Sequence, residues 1–474
     1  MRLLLKSMLL LIISVSLLQN CGNKKQEEKE EKLENVTGKA NLPWINSAVI
    51  YEVNLRQYST SGSFKEFATH LDSLKLMGVD ILWFMPLQPI GVKNRKGSLG
   101  SYYSIKDYKA VNPEYGTDDD FRDLVEVCHK KGFKVILDWV ANHTSMDNAL
   151  ITEHPDWYTK DSTGNIVPPV PDWNDVADLN YDNKELRAYM IDAMKWWVTE
   201  FDLDGFRCDV ATMIPTDFWE SATNELNKTK KMFMLAEAEQ PDHMKNAFHA
   251  CYGWQLHHLL KDVYKGNKNA DSIEAYLIKV KRDFPAGTIK MNFVSNHDEN
   301  SWNGTTQELF GPSEDLMTVL TFTLEGLPLI YNGMEAGLDK RLKFFEKDPI
   351  NWRNSNANKR FEFYQILANI RRLNPSLWTN VEGQTITRVF KGTKDVYGFI
   401  RQSGENKVLV VTNLSGKTVK MDALEIPGLE QYLLRLSKNM KTDGVHLYEL
   451  GPWGYSLSTL NEPKPEERKS APRR

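Results

Sequence analysis

Eight short apolar runs punctuate the first 380 or so residues of this chain, and helix-patterned stretches separate them. The runs are Ala48–Val53, Val79–Met85, Val135–Leu137, Gly205–Cys208, Met232–Ala236, Cys251–Gln255, Ile289–Val294 and Pro328–Tyr331. Several are apolar on consecutive residues, as strands buried on both faces are. Between the first two, Phe64, Phe67, Leu71, Leu74 and Met77 recur at three- and four-residue steps, which predicts one amphipathic helix stopped by Gly78. Phe121, Leu124, Val125 and Cys128 mark a second helix with Gly132 as its stop, and a third runs from about Lys184 to Thr199. Eight strands separated by helices imply α/β architecture closed into a (β/α)8 TIM barrel rather than an open sheet.

The barrel spans residues 43–380 and is interrupted once. The stretch from Asp138 to Asp209 is about twice one strand–helix unit, and residues 141–183 hold Pro, Asp, Asn and Trp with little regular pattern. They predict a small lobe inserted after strand 3, standing over the barrel mouth. From 381 to 460 the rhythm changes to short β-prone runs at Thr385–Phe390, Val396–Arg401, Lys407–Thr412, Thr418–Met421, Thr442–Leu450 and Tyr455–Leu457, which predict a C-terminal antiparallel β-sandwich. Residues 461–474 are rich in Pro and charge and read as a disordered tail.

The N-terminus reads as a leader. Arg2 and Lys6 precede the apolar run Met8–Leu18, which is shorter than the ~20 residues a spanning helix needs, so residues 1–20 fit a signal peptide. Leu18-Gln-Asn-Cys21 resembles the ending of a bacterial lipoprotein signal. The expectation is a lipidated Cys21, a polar tether over 21–42 and an exported domain held on the outer membrane, on its periplasmic face or at the cell surface. Cys128, Cys208 and Cys251 lie in apolar or helical surroundings and read as buried free thiols. A net charge of −4 with mixed signs argues against a nucleic-acid partner.

Four segments carry the chemistry: Asp138-Trp-Val-Ala-Asn-His143, Gly205-Phe-Arg-Cys-Asp209, Glu237, and Phe293-Val-Ser-Asn-His-Asp298. Each ends or follows a strand run. In a (β/α) barrel the strand C-termini form the site, so Asp138, Asp209, Glu237 and Asp298 are placed together at its mouth. One strand-end Asp is ordinary helix capping; four acids are not. Two carboxyls about 5–5.5 Å apart cleave a glycosidic bond with retention, and a wider pair inverts. Asp209 and Glu237 sit on neighbouring strands, which permits the closer spacing. Arg207 precedes Asp209 by two residues and so faces the same side of the strand, where it can hold a carboxylate anionic.

These segments resemble those of the α-amylase family of retaining α-glucoside hydrolases and transglycosylases, glycoside hydrolase family 13. The resemblance spans residues 44–460. It implies Asp209 as nucleophile, Glu237 as acid/base and Asp298 as the third acid that grips sugar hydroxyls. It implies that His143 and His297 contact the same sugar, that Arg207 partners the nucleophile and that Asp138 supports. Tyr103 matches the tyrosine that stacks under the sugar ring, with Tyr102 as its rival. A structural calcium is common in the family: Asn142 matches one ligand position, and Asp178, with Asp175 and Asn180, could complete an oxygen-rich site. No ligand cluster for zinc is visible, and no cofactor is required for the chemistry. Thr212-Met213 departs from the Lys-His pair common in calcium-type members.

The expected substrate is a starch-type α-glucan or maltooligosaccharide, cleaved as by an α-amylase. An oligo-1,6-glucosidase, an α-glucosidase or a maltose-forming transglycosylase is the alternative, because Asp178-Leu-Asn180 resembles members of those kinds equally. Trp302 either stacks a second glucose or packs its loop. A glycan-binding protein without turnover is a further alternative, against which the intact acids argue.

Overall fold

The computed structural model describes residues 38–462. The leader, Cys21 and the first part of the tether lie outside the described residues, as does the tail beyond residue 462. The chain joins the fold earlier than the expected boundary at 43. Lys39 Nζ donates to Met244 O at 2.6 Å, Asn227 Nδ2 to Gly38 O at 2.8 Å, and Leu42 is buried under the barrel floor.

Strands β1 (Ile50–Val53), β2 (Ile81–Phe84) and β3 (Lys134–Trp139) come first. The short pair β4 (His143–Ser145) and β5 (Val176–Asp178) belongs to the inserted lobe. Then follow β6 (Gly205–Cys208), β7 (Phe233–Ala236), β8 (Ala250–Tyr252), β9 (Ile289–Asn292) and β10 (Leu327–Tyr331). All barrel pairings are parallel and β1 pairs with both β2 and β10, so the eight strands close. Side chains alternate between two cores. Ile50, Ile81, Ile136, Phe233, Leu235, Met291 and Leu329 fill the barrel interior, with Leu42 and Ile45 plugging its lower end. Val53, Leu82, Val135, Phe206 and Met234 face the helices. Gly205 is needed where β6 and β7 approach, since a Cβ there would stand 2.1 Å from Phe233 O.

The helix expected over 64–77 is two, Phe64–Ala68 and Leu71–Met77. The break falls at Thr69-His70, where the His70 ring stacks on Trp352 at 5.8 Å and meets Tyr58 edge-on at 5.1 Å. Tertiary packing of one imidazole overrides an unbroken helical pattern. The strand expected over Cys251–Gln255 stops at Tyr252, and Trp254 opens a helix.

The C-terminal unit holds β11 (Thr385–Val389), β12 (Val396–Ser403), β13 (Asn406–Asn413), β14 (Val419–Asp422), β15 (Leu433–Thr442) and β16 (Leu447–Leu460), all antiparallel. The long β16 pairs with β14 through its first half and β13 through its second. Val396, Leu409 and Val411 thereby pack against Met421, Tyr448 and Leu450. Two differences from expectation stand out. Thr442–Leu450 and Tyr455–Leu457 are not separate strands: Leu447–Leu460 is one. β15 was not expected: Leu436, Lys438 and Met440 share its half-buried face, but the lysine between two apolar residues and the exposed pair Leu433-Leu434 mask the apolar alternation that marks a strand. The unit joins the core that surrounds the barrel through Tyr397, Phe399, Val408, Val410 and Leu457, and polar contacts add Lys438 with Asp315 at 2.8 Å and Arg401 Nη1 donating to Thr323 O at 3.2 Å.

Candidate active site

The strand ladder carries the acids to one level. Asp138 pairs in register with Arg207, and Cys208 pairs with Ala236. The ladder runs one residue further, with Asp209 N donating to Trp139 O at 2.9 Å and Glu237 N to Cys208 O at 3.0 Å. Asp209 and Glu237 therefore leave neighbouring strands side by side.

A single buried guanidinium organises them. Arg207 Nη1 lies 2.8 Å from Asp138 Oδ1 and 2.9 Å from Asp209 Oδ1, and Nη2 lies 3.0 Å from Glu237 Oε2. Arg207 Nε donates to Tyr252 Oη at 3.0 Å, and the Trp83 and Tyr252 rings flank the cation at 5.1 and 5.4 Å. Asp138 is also held by Trp83 Nε1 at 3.2 Å and Tyr103 Oη at 3.0 Å, so its oxygens are spent on neighbours rather than turned to the cavity. The separate sequence segments thus meet at one fork.

The second half of the site is a histidine relay. His297 Nδ1 bonds Glu52, and Nε2 lies 3.0 Å from Asp298 Oδ2 and 2.8 Å from Tyr103 Oη. Burial alone would lower the His297 pKa, but Asp298 and Glu52 on its two nitrogens raise it well above the ordinary value, so it is an imidazolium. His297 in return holds Asp298 below the usual carboxylate range against the cost of burial. Asp298 keeps 34% of its side chain open, which leaves it free to accept hydroxyls. His143 has no such partner; burial drops it to about 4, so it stays neutral.

Burial raises Asp209 to about 6, with Arg207 opposing and Asp138 and Asp298 adding. Burial raises Glu237 further, to about 7, with Arg207 again opposing and Asp209 and Asp298 adding. Glu237 also accepts from Val210 N at 2.7 Å. Val210 has φ of +34°, a conformation β-branched residues rarely adopt. That turn costs about 1–3 kcal/mol and aims one backbone donor at Glu237.

These groups open into a cavity of about 420 Å³ lined by Tyr103, His143, Asp209, Glu237, His297 and Asp298, with Trp173, Trp302, Phe344 and Phe345 as aromatic walls. A site with apolar walls and a few convergent polar groups suits a small or chain-like ligand. Tyr103 stacks on His297 and Phe344, with ring centroids 5.5 and 6.3 Å apart. Tyr102 instead lies under Arg56, fully buried, and does not reach the cavity. Trp302 packs on Phe344 at 5.2 Å and also lines the cavity. It rides on a π-turn, Glu299–Asn303, directly after Asp298.

Two of the expected calcium donors have protein partners. Asp175 pairs with Lys96 at 3.2 Å, and Asn180 Oδ1 accepts Asp182 N at 3.0 Å. Asn142 turns its amide nitrogen to His143 Nδ1 at 3.3 Å. The Lys96 ammonium thus supplies a positive charge beside the lobe's acids.

Several site residues had escaped the sequence reading: Glu52, Trp83, Tyr252, Lys96, Trp173, Phe344 and Phe345. Glu52 carried a signal, as a lone acid within the apolar run Ile50–Val53. The others carried none: Lys96 is one lysine of a polar loop, and the rest are aromatic residues in strands or loops where core packing is the ordinary role.

The chain matches the family described as α-amylase, catalytic domain, over residues 38–168 and 170–382. A solved maltogenic α-amylase of Thermotoga neapolitana superposes with a TM-score of 0.75 at 30% identity, covering 87% of this chain and 98% of that one. α-Amylase 2 of Dictyoglomus thermophilum is 26% identical over 78% of this chain, and the match spans 66% of the Dictyoglomus enzyme, just under two thirds of its length. A cyclomaltodextrinase of Thermoanaerobacter pseudethanolicus is 26% identical over 82% of this chain and 69% of its own.

Proposed function

The chain belongs to the α-amylase family, and from that premise we propose that it cleaves α-glucosidic bonds with retention of configuration. The observation that carries this reading is the Arg207 fork, which joins Asp209 and Glu237 through one guanidinium. That bridge favours the narrow carboxyl spacing of about 5–5.5 Å over the wider gap an inverting enzyme needs for water.

In the first step, Glu237 gives its proton to the bridging oxygen. The bond from the anomeric carbon to that oxygen breaks, its electron pair leaves with the departing sugar, and an Asp209 oxygen forms an ester to the anomeric carbon. In the second, the Glu237 carboxylate takes a proton from water, whose oxygen attacks the same carbon and frees Asp209. Asp298 and the His297 imidazolium hold ring hydroxyls, and Asp298 steadies positive charge growing at the anomeric centre. Neutral His143 bonds the same sugar. Asp138 and Arg207 position the two reacting carboxyls.

Among substrates, the first expectation of a plain starch α-amylase gives way to the alternative. The matched proteins named for maltogenic and cyclomaltodextrin-cleaving activity support a short-product, maltooligosaccharide enzyme with transfer to sugar acceptors. Incubation with starch, maltotriose, pullulan and isomaltose, followed by chromatography and NMR of the first product, tests both parts. The α-anomer first and maltose or glucose from maltotriose are expected. A β-anomer first overturns retention, and random internal cuts in starch restore the plain amylase.

Activity requires Asp209 ionised and Glu237 protonated. kcat/KM is expected to fall as pH drops through about 6 and again as it rises through about 7, the two limbs belonging to the coupled pair. A pH–rate profile still rising at pH 9 contradicts this assignment. We infer further that calcium does not hold the lobe. Exhaustive chelation is expected to lower Tm by less than about 2 °C, and a larger loss restored by Ca2+ would reverse that.

A further inference from the structure

One border of the cavity is formed by a segment tied down at both of its ends. Segment 91–101, in the long loop after β2, stretches from the inserted lobe to the loop at 344–346. At the lobe end, Val92 N donates to both Asp147 oxygens at 3.1 Å and Asn94 Nδ2 to Asn174 O at 3.0 Å. Lys96 Nζ donates to Asp172 O at 2.8 Å and pairs with Asp175 at 3.2 Å. At the far end, Ser98 N donates to Glu346 Oε1 at 2.9 Å and Leu99 N to Phe345 O at 3.1 Å.

A glycine seats each end. A Cβ on Gly91 would stand 2.3 Å from Ser145 Cβ, and one on Gly97, at φ of +62°, would stand 2.5 Å from Phe345 Cβ. Arg95 braces the middle, with Nε donating to Gly91 O at 2.8 Å and Nη2 to Ile90 O at 3.2 Å. The segment is pinned on both sides, and Lys96 and Ser101 face the cavity together with Phe344 and Phe345.

The wall stands on the side of Tyr103 and His297, which hold the donor sugar, since Phe344 packs on both rings. A separate groove of about 450 Å³ is lined by Thr212, Met213, Ile214, Gln240 and Pro241, on the segments that directly follow the cavity residues Val210 and Glu237. Gln240 is turned across it to Thr212 Oγ1 at 2.6 Å, and Met213 is 45% exposed.

We propose that segment 91–101 is a fixed end wall on the donor side. The site takes the non-reducing end of an α-glucan chain, the wall sets the length of the piece removed, and the departing or accepting chain lies in the groove at 212–216 and 240–243. This rests on the glucoside reading above and on Glu237 standing at the leaving oxygen.

Maltoheptaose labelled at its reducing end tests the wall. At the earliest times, wild type is expected to yield one dominant labelled fragment and one unlabelled short product. Asn94→Ala/Glu346→Ala removes a latch at each end using side chains that do not line the cavity. It is expected to give labelled fragments of several lengths while still cleaving a short chromogenic α-maltoside. If the double variant does not fold, Lys96→Ala in the same assay is expected to spread the lengths. Several labelled lengths from wild type, or one unchanged length from the folded variants, overturns the wall. Absence of turnover on every α-glucoside by wild type instead defeats the glucoside reading itself.

Discussion

Asp209→Asn is expected to lower kcat by about 10⁴-fold or more while leaving the folded protein at least as stable as wild type. Asparagine keeps the shape and still accepts from Arg207 Nη1, which lies 2.9 Å from the native oxygen. It cannot form the ester. Stability moves the other way because Asp209 is buried among Asp138, Glu237 and Asp298, whose charges Arg207 and His297 only partly balance. Removing one charge relieves that crowding, and Glu237 should then titrate lower. Affinity for an unreactive oligosaccharide should change little. Activity above about one hundredth of wild type, or a marked loss of Tm, would contradict this account.

Arg207→Met should be the most damaging change to the fold at this site, costing about 3–5 kcal/mol near neutral pH. The side chain is fully buried and touches three carboxylates at 2.8, 2.9 and 3.0 Å. Without the cation, those acids remain in a low-dielectric floor and their folded pKa values, already above the unfolded ones, rise further. Groups shifted upward contribute least stability at high pH, so the deficit should shrink as pH falls and the acids protonate. Arg207→Lys restores a charge but not the fork, and should recover only part of the loss. Denaturant unfolding at pH 5 and pH 7.5 checks both variants. A deficit equal at the two pH values would show that lost packing, not unpaired charge, is responsible.

The barrel was readable because its strands are buried on both faces and so leave runs such as Ile81–Phe84 and Phe233–Ala236 that only a covered parallel sheet produces. The acids were readable because each follows such a run, and strand register then brings them level without further information. What the sequence hid is what long-range packing decides. Glu52 reaches His297 across the barrel interior, a contact between positions 245 apart in the chain. The choice of Tyr103 over Tyr102 depends on Arg56 capturing the latter ring. The wall at 91–101 has no periodicity, since its order comes from Asp147, Asn174 and Glu346, each on a different segment. Asp175, read as a possible oxygen donor for a metal, pairs with Lys96, a partner no local pattern announces.

The account turns on a covalent bond to one oxygen. Glu237→Gln lacks the base for the second step but keeps Asp209 beneath the anomeric carbon, so an α-maltosyl fluoride, whose leaving group needs no proton, should load it and stall. Peptide mass spectrometry after brief mixing at pH 7 is the direct measurement. The account predicts a maltosyl adduct on the peptide bearing Asp209, fragmenting at that residue and absent from Asp209→Asn/Glu237→Gln. An adduct on Asp298 or Asp138, or no adduct together with a β-configured first product from wild type, would contradict it.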